Sequence, residues 1–179
     1  MYPLSEIKNL SSLDNQQVVR IRGRVFSKKD CGRVLFLIVR DGIDTLQAVL
    51  VKSKEGNPLS IADYNLLRKI ENESFVELVG QIYSPEKAVL ACSQQSIELA
   101  IMEYTVLSRS VLDLPITLKE AACIEDKKNE NQLFSSVQYV KRLDNRVLDL
   151  RTDLAQAIFR VNDGMLFYIQ QYLRGHGFV

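Results

Sequence analysis

At 179 residues, with 46% hydrophobic and 25% charged content, the chain has the composition of an ordinary soluble protein able to bury a core of its own. A formal net charge of +1 excludes a generally basic chain, so any surface for nucleic acid must be a local patch. Cys31, Cys92 and Cys123 lack metal-ligand spacing, and neither a leader-like start nor an apolar run of membrane length occurs, so the expectation is a cytosolic protein with reduced thiols, no zinc site and no membrane partner.

Taken in order, the chain first offers Leu4, Ile7 and Leu10 at helical spacing behind Pro3, which predicts a short helix over 4–13 plugging one end of a sheet. Residues 18–25 alternate Val19, Ile21 and Val25 with Arg20, Arg22 and Arg24, a strand with three arginines on one face. Lys28, Lys29 and Arg33 are expected in the turn that follows.

Residues 34–51 organise the rest, because two apolar runs flank a turn carrying Asp41-Gly42, the signal of a β-hairpin. Alternation assigns Leu35, Leu37, Val39, Leu46, Ala48 and Leu50 to a core face. Val34, Phe36, Ile38, Arg40, Thr45, Gln47 and Val49 then share the other face. A turn that pairs Arg40 with Thr45 sets Ile38 opposite Gln47 and Phe36 on the diagonal, roughly 7–8 Å from it. An outward aromatic ring beside an amide and a basic strand is a surface suited to single-stranded nucleic acid, with phosphates on the cations, a base on the ring and its edge on Gln47. Pattern alone leaves a second reading open, in which a later segment covers Phe36 and the arginines only solvate a strand.

Beyond the break at Gly56, Asn57 and Pro58, a helix is predicted over 60–70, with Ile61, Leu66, Leu67 and Ile70 at helical spacing. Strand alternation returns at 75–83, where Val76, Leu78, Gly80 and Ile82 share a face, and the last strands are expected at 88–91 and 97–107. Three strands, a helix and two strands give the order of a five-stranded OB-fold, a Greek-key barrel that binds oligonucleotides on its second and third strands. Residues 108–139, with the polar run E-D-K-K-N-E-N, read as a hinge. Thr152 then caps a helix in which Leu154, Ile158, Val161, Met165, Ile169 and Tyr172 recur every three to four residues, about 30 Å long. Residues 177–179 read as the opening of a strand. The division is thus a barrel over 1–107, a hinge over 108–139, and the start of a further domain over 140–179.

The run Arg142-Leu143-Asp144-Asn145-Arg146-Val147-Leu148-Asp149-Leu150-Arg151-Thr152, followed by Gln156-Ala157-Ile158-Phe159-Arg160, closely resembles the entry to the catalytic domain of eukaryotic cytosolic aspartyl-tRNA synthetases. The long helix and its G-H-G-F-V ending resemble the first half of motif 1 of class II synthetases, a dimer-interface element in that family. The resemblance implies an amino-terminal anticodon-binding OB-fold, a hinge and the start of a class II α+β catalytic domain, hence tRNA as partner through its anticodon stem-loop and a homodimer in the full-length enzyme. It places the stacking aromatic on Phe36 and the base-reading glutamine on Gln47, both facing the central uridine of the anticodon. That base is shared by aspartate, asparagine and lysine tRNAs, and the L-D-N-R-V-L-D-L-R-T run favours aspartate. Lys29 stands where the family carries an arginine, keeping a cation without the bidentate fork. Phosphate contacts are assigned to Arg20, Arg22, Arg24, Lys28 and Arg33, and Glu103 is the nearest match to a further acidic base reader.

Catalysis is expected elsewhere. The arginines of motifs 2 and 3, which bind ATP in class II enzymes, have no counterpart in these residues, nor does the family's lysine-rich amino-terminal extension. The chain is therefore expected to be inactive alone and to hold no cofactor or metal, with ATP and Mg serving the parent enzyme. Asp144, Asp149, Asp153 and His176 are read as structural around the helix ends. The competing readings are a lysyl or asparaginyl enzyme, or a non-catalytic OB-fold adaptor.

Overall fold

The computed structural model describes residues 2–11, 15–52, 59–122 and 137–179. They form two compact units, Met1–Leu112 and Asp113–Val179. In the first, strands β1 (Val18–Asp30), β2 (Val34–Asp41), β3 (Asp44–Val51), β4 (Phe75–Tyr83) and β5 (Glu98–Ser108) close a barrel in the order β1-β2-β3-β5-β4, with helix α1 (Ile61–Lys69) between β3 and β4. All neighbours are antiparallel except β3 and β5, whose parallel pairing closes the ring. This is the five-stranded OB-fold order expected from the sequence.

The hairpin keeps the anticipated register: Arg40 faces Thr45, Ile38 faces Gln47 and Phe36 faces Val49. Leu35, Leu37, Val39, Leu46, Ala48 and Leu50 all lie within the core. There they meet Val19, Ile21 and Val25 of β1, Val76, Leu78 and Ile82 of β4, and Leu99 and Ile101 of β5. Gly80 admits close strand contact, since a Cβ on it would stand 2.2 Å from the Ala100 carbonyl oxygen. Helix α1 begins in a reciprocal cap, Ser60 Oγ accepting from Asp63 N while Asp63 Oδ2 accepts from Ser60 N, and buries Tyr64 and Leu67 on the barrel core.

Four expectations need correction. The helix over 4–13 is a single 3-10 turn, Ile7–Asn9, with no side-chain cap to extend it, although Ile7 and Leu10 still plug the core; Leu13 lies outside the described residues. Lys28 and Lys29 belong to β1 and not to a turn, because β1 runs on through a bulge to Asp30. Residues 88–91 form no strand; Val89 N donates to Gln95 O and Cys92 N to Val89 O, closing a turn, while Ser93 bonds Thr45 at the start of β3. Residues 177–179 turn away from the helix end, with Gly177 at φ +83°, and form no strand.

In the second unit, α2 (Leu118–Ala122) lies inside the stretch read as a featureless hinge, started by a Thr117–Glu120 capping pair that the polar composition concealed. Residues 123–136, including Cys123 and the polar run, lie outside the described residues. Helices α3 (Tyr139–Asp144) and α4 (Arg146–Asp149) lead into α5 (Asp153–Gly175). Leu148 of α4 packs with Ile116 and Ala121 in a small core, edged by Leu114 and Val137. Thr152 caps α5 as anticipated, its Oγ1 accepting from Ala155 N at 3.3 Å and donating to Asp149 O at 2.7 Å.

Candidate nucleic-acid interface

The bulge in β1 decides which cations face the hairpin. Up to Val25, odd-numbered residues of β1 point inward; an extra residue, Phe26, then shifts the register, so that Ser27 pairs with Ile38, Lys28 with Leu37 and Lys29 with Phe36. Without the shift Lys29 would share the parity of the core valines. With it, Lys29 takes the outer face beside Phe36. Phe36 itself is only partly buried, and it makes no ring or cation contact among the described residues. Arg40, on the same face of β2, is withdrawn: it is 6% exposed, holds Glu73 at 3.0 Å through Nη2, and lies over the Phe26 ring.

Gln47 is fixed from the far side. Its β5 partner in the parallel pairing is Glu98, whose own partner on β4 is Tyr83, so three side chains line up across three strands. Gln47 Nε2 donates to Glu98 Oε1, and the Tyr83 hydroxyl donates to Glu98 Oε2. Glu98 is 7% exposed. Burial first, then the bond to the Glu98 carboxylate, pushes the Tyr83 phenol well above its ordinary pKa, so it remains a donor. Each carboxylate oxygen thus has an internal partner, and Gln47 keeps its carbonyl and one N–H for an outside ligand.

The structure separates the other predicted cations from this surface. Arg20, Arg22 and Arg24 stand on the outer face of β1 where it pairs with β4, opposite Val79, Glu77 and Phe75. Arg22 Nε holds Glu77 at 2.6 Å, with Arg20 3.9 Å from the same carboxylate; Arg24 donates to Glu73 O and lies over the Phe75 ring. Those partners sit some fifty residues away in sequence, which is why the alternation alone read the arginines as an open basic face. Lys28 caps the end of α1 by donating to Arg68 O and Ile70 O, and the partial burial this requires lowers its pKa. Arg33 is exposed in the turn between β1 and β2. Glu103 pairs with Val79 on the β4 side, well along β5 from Gln47. The acidic residue that reaches the site is Glu98, missed because a parallel pairing across the barrel leaves no local signal in sequence; its place at the first position of β5 is the one cue.

The acidic residues near α5 form no cleft. Asp149 is 1% exposed, with Arg142 Nε at 2.7 Å and Arg146 as a second partner, and it orders the turn ahead of the helix. His176 Nδ1 sits 2.9 Å from Tyr172 O at the helix end. Cys31 and Cys92 are both free thiols.

Residues 19–107 match the family described as OB-fold nucleic acid binding domain. A probable cytoplasmic aspartate–tRNA ligase of Encephalitozoon cuniculi is 33% identical over 177 residues, covering 98% of this chain and 37% of its own length. An aspartyl tRNA synthetase from Entamoeba histolytica superimposes with a TM-score of 0.89 at 29% identity, over 99% of this chain and 38% of the other. An asparaginyl-tRNA synthetase from Pyrococcus horikoshii shares the fold at a TM-score of 0.76 and 20% identity, over 99% of this chain and 35% of the other. The chain therefore spans somewhat over a third of the length of these relatives.

Proposed function

Because the chain belongs to the aspartyl-tRNA synthetase family, we propose that it is the anticodon-binding part of an aspartate–tRNA ligase, an enzyme that activates aspartate with ATP and esterifies tRNA(Asp) in the cytoplasm. The observation that carries this reading is the row Lys29, Phe36 and Gln47 on one outer face: a cation, a partly open ring, and an amide held by Glu98. A base stacked on Phe36 brings its edge toward Gln47, and Lys29 lies on the strand next to the ring. Arg33 remains an exposed candidate for phosphate, whereas Arg20, Arg22, Arg24 and Lys28 already serve Glu77, Glu73 and the end of α1 and contribute chiefly to the field around the barrel.

The functional division proposed is recognition in 1–107 and the start of the catalytic domain from 140, joined by 108–139, part of which packs with α4 through Ile116 and Ala121. ATP and Mg serve chemistry outside the barrel. The exposed apolar face of α5 supports a homodimer of the whole enzyme. Stronger identity to aspartate than to asparagine enzymes favours aspartate among the related substrates.

Titration of anticodon stem-loops at fixed salt tests the site. Phe36→Ala is expected to cost about 1–3 kcal/mol of binding, and Gln47→Ala to weaken preference for the central uridine more than overall affinity. Unchanged binding in Phe36→Ala refutes the stacking role. Aminoacylation by the full-length enzyme with aspartate, asparagine and lysine tests the substrate.

A further inference from the structure

Gln47 can offer its amide to a ligand in two orientations, and these read opposite base edges. With the carbonyl placed to accept an imino N–H and the amine placed to donate to a keto oxygen, the amide matches uridine. Turned over, it matches cytidine, whose edge carries a ring-nitrogen acceptor beside an exocyclic amine. A free glutamine on a strand surface interconverts between the two with little cost and discriminates poorly.

Here the choice is made by neighbours. Glu98 is an acceptor on both oxygens, so the group facing it must be the Gln47 amine and not the carbonyl. The carboxylate is itself held from the other side by the Tyr83 hydroxyl, across the β4–β5 register. Tyr83 and Glu98 are partners at the end of β4 and the start of β5, and Gln47 pairs with Glu98 across the closure of the barrel. Side chains from three strands therefore fix one amide.

We propose that Tyr83, acting through Glu98, is a positioning residue that locks the Gln47 amide in the uridine-reading orientation and so sets discrimination against cytidine at that base. Neither Tyr83 nor the inner oxygen of Glu98 needs to touch the ligand. This inference rests on the anticodon reading given above.

The test uses the 179-residue chain, wild type, Tyr83→Phe and Glu98→Gln, titrated at one salt concentration with two stem-loops that differ only in uridine or cytidine at the central position. Melting temperatures are recorded for each protein. The wild type is expected to prefer uridine, and Tyr83→Phe, which keeps the ring, to reduce the uridine-to-cytidine affinity ratio by about tenfold, within the discrimination of one bidentate contact. Glu98→Gln presents an amide able to accept or donate and is expected to erase most of the preference, cytidine binding improving as uridine binding falls. A merely structural role lowers both affinities together and leaves the ratio unmoved. That result, or a full wild-type ratio in Tyr83→Phe, overturns the inference while the anticodon reading stands. A wild-type chain that binds neither loop overturns both.

Discussion

The barrel strands and helix α5 each repeat apolar and polar residues at the period of their own element, yet they end in opposite conditions. On β2 and β3 every residue assigned inward by alternation is covered, because the sheet closes on itself and has only one interior. On α5 only Ala155 is buried, while Ile158, Val161, Met165, Ile169 and Tyr172 are each more than half exposed. Phe167, at 60%, and Tyr168, at 69%, broaden the apolar surface further. A strand pattern in a closed barrel names both the buried face and what covers it. A helical stripe names only a face that requires cover.

The largest break in that contrast should come from inside the barrel. Glu73→Gln leaves the Arg40 guanidinium buried without its counter-charge, and should cost about 3–5 kcal/mol in urea unfolding. Leu37→Ala, at a fully buried position, should cost about 2–5 kcal/mol. The matched change on the helix, Ile169→Ala, should stay within about 0.5 kcal/mol in the isolated chain, because the side chain is half exposed already. An equal loss at both positions would show that α5 is covered in solution. Sedimentation sharpens the point: Met165→Glu should weaken any self-association of the chain without lowering its melting temperature.

Smaller effects separate the units further. Thr152→Ala removes the cap of α5 and should cost about 1 kcal/mol, seen as lost helix by circular dichroism with the barrel transition unchanged. The smallest effect is in acid. Hydrogen bonds from Tyr64 and the Gly32 amide hold the Asp30 pKa below its ordinary 3.8, and Ser60 does the same for Asp63. A depressed folded pKa stabilises above the unfolded value and loses that contribution as pH falls through the folded one. Barrel stability should therefore begin to drop below about pH 3.8, and Tyr64→Phe should flatten the part due to Asp30. At the alkaline end the sign reverses: burial and Asp30 raise the Tyr64 pKa to about 12, so stability present below pH 10 is lost as pH rises toward 12.

The sequence disclosed what local period and turn chemistry control. Asp41-Gly42 set the hairpin, and with it the placement of Phe36 and Gln47 on one face; Thr152 marked the start of α5 to the residue. It concealed what depends on distant partners. Nothing in V-V-R-I-R-G-R-V-F-S-K-K announces that Phe26 is a bulge, yet that one residue puts Lys29 outside. Glu77, 55 residues from Arg22, turns a basic stripe into an ion pair. Glu98 joins Gln47 only because β3 and β5 run parallel at the closure, and the helical spacing of Leu4, Ile7 and Leu10 yields only a 3-10 turn because no side chain caps its start.

The closure has a further consequence. Three residue pairs, Gln47–Glu98, Ala48–Leu99 and Val49–Ala100, make up the whole β3–β5 ladder, against seven between β1 and β4. It joins segments about fifty residues apart, so it is both the shortest ladder and one whose loop-closure entropy is high. The Gln47 amide therefore sits on the seam of the barrel, where opening should be easiest and backbone amides should exchange fastest. An RNA base held by Gln47 would staple that seam, and occupancy of the site should be read out as slowed hydrogen exchange in β3 and β5 before it is read out anywhere else.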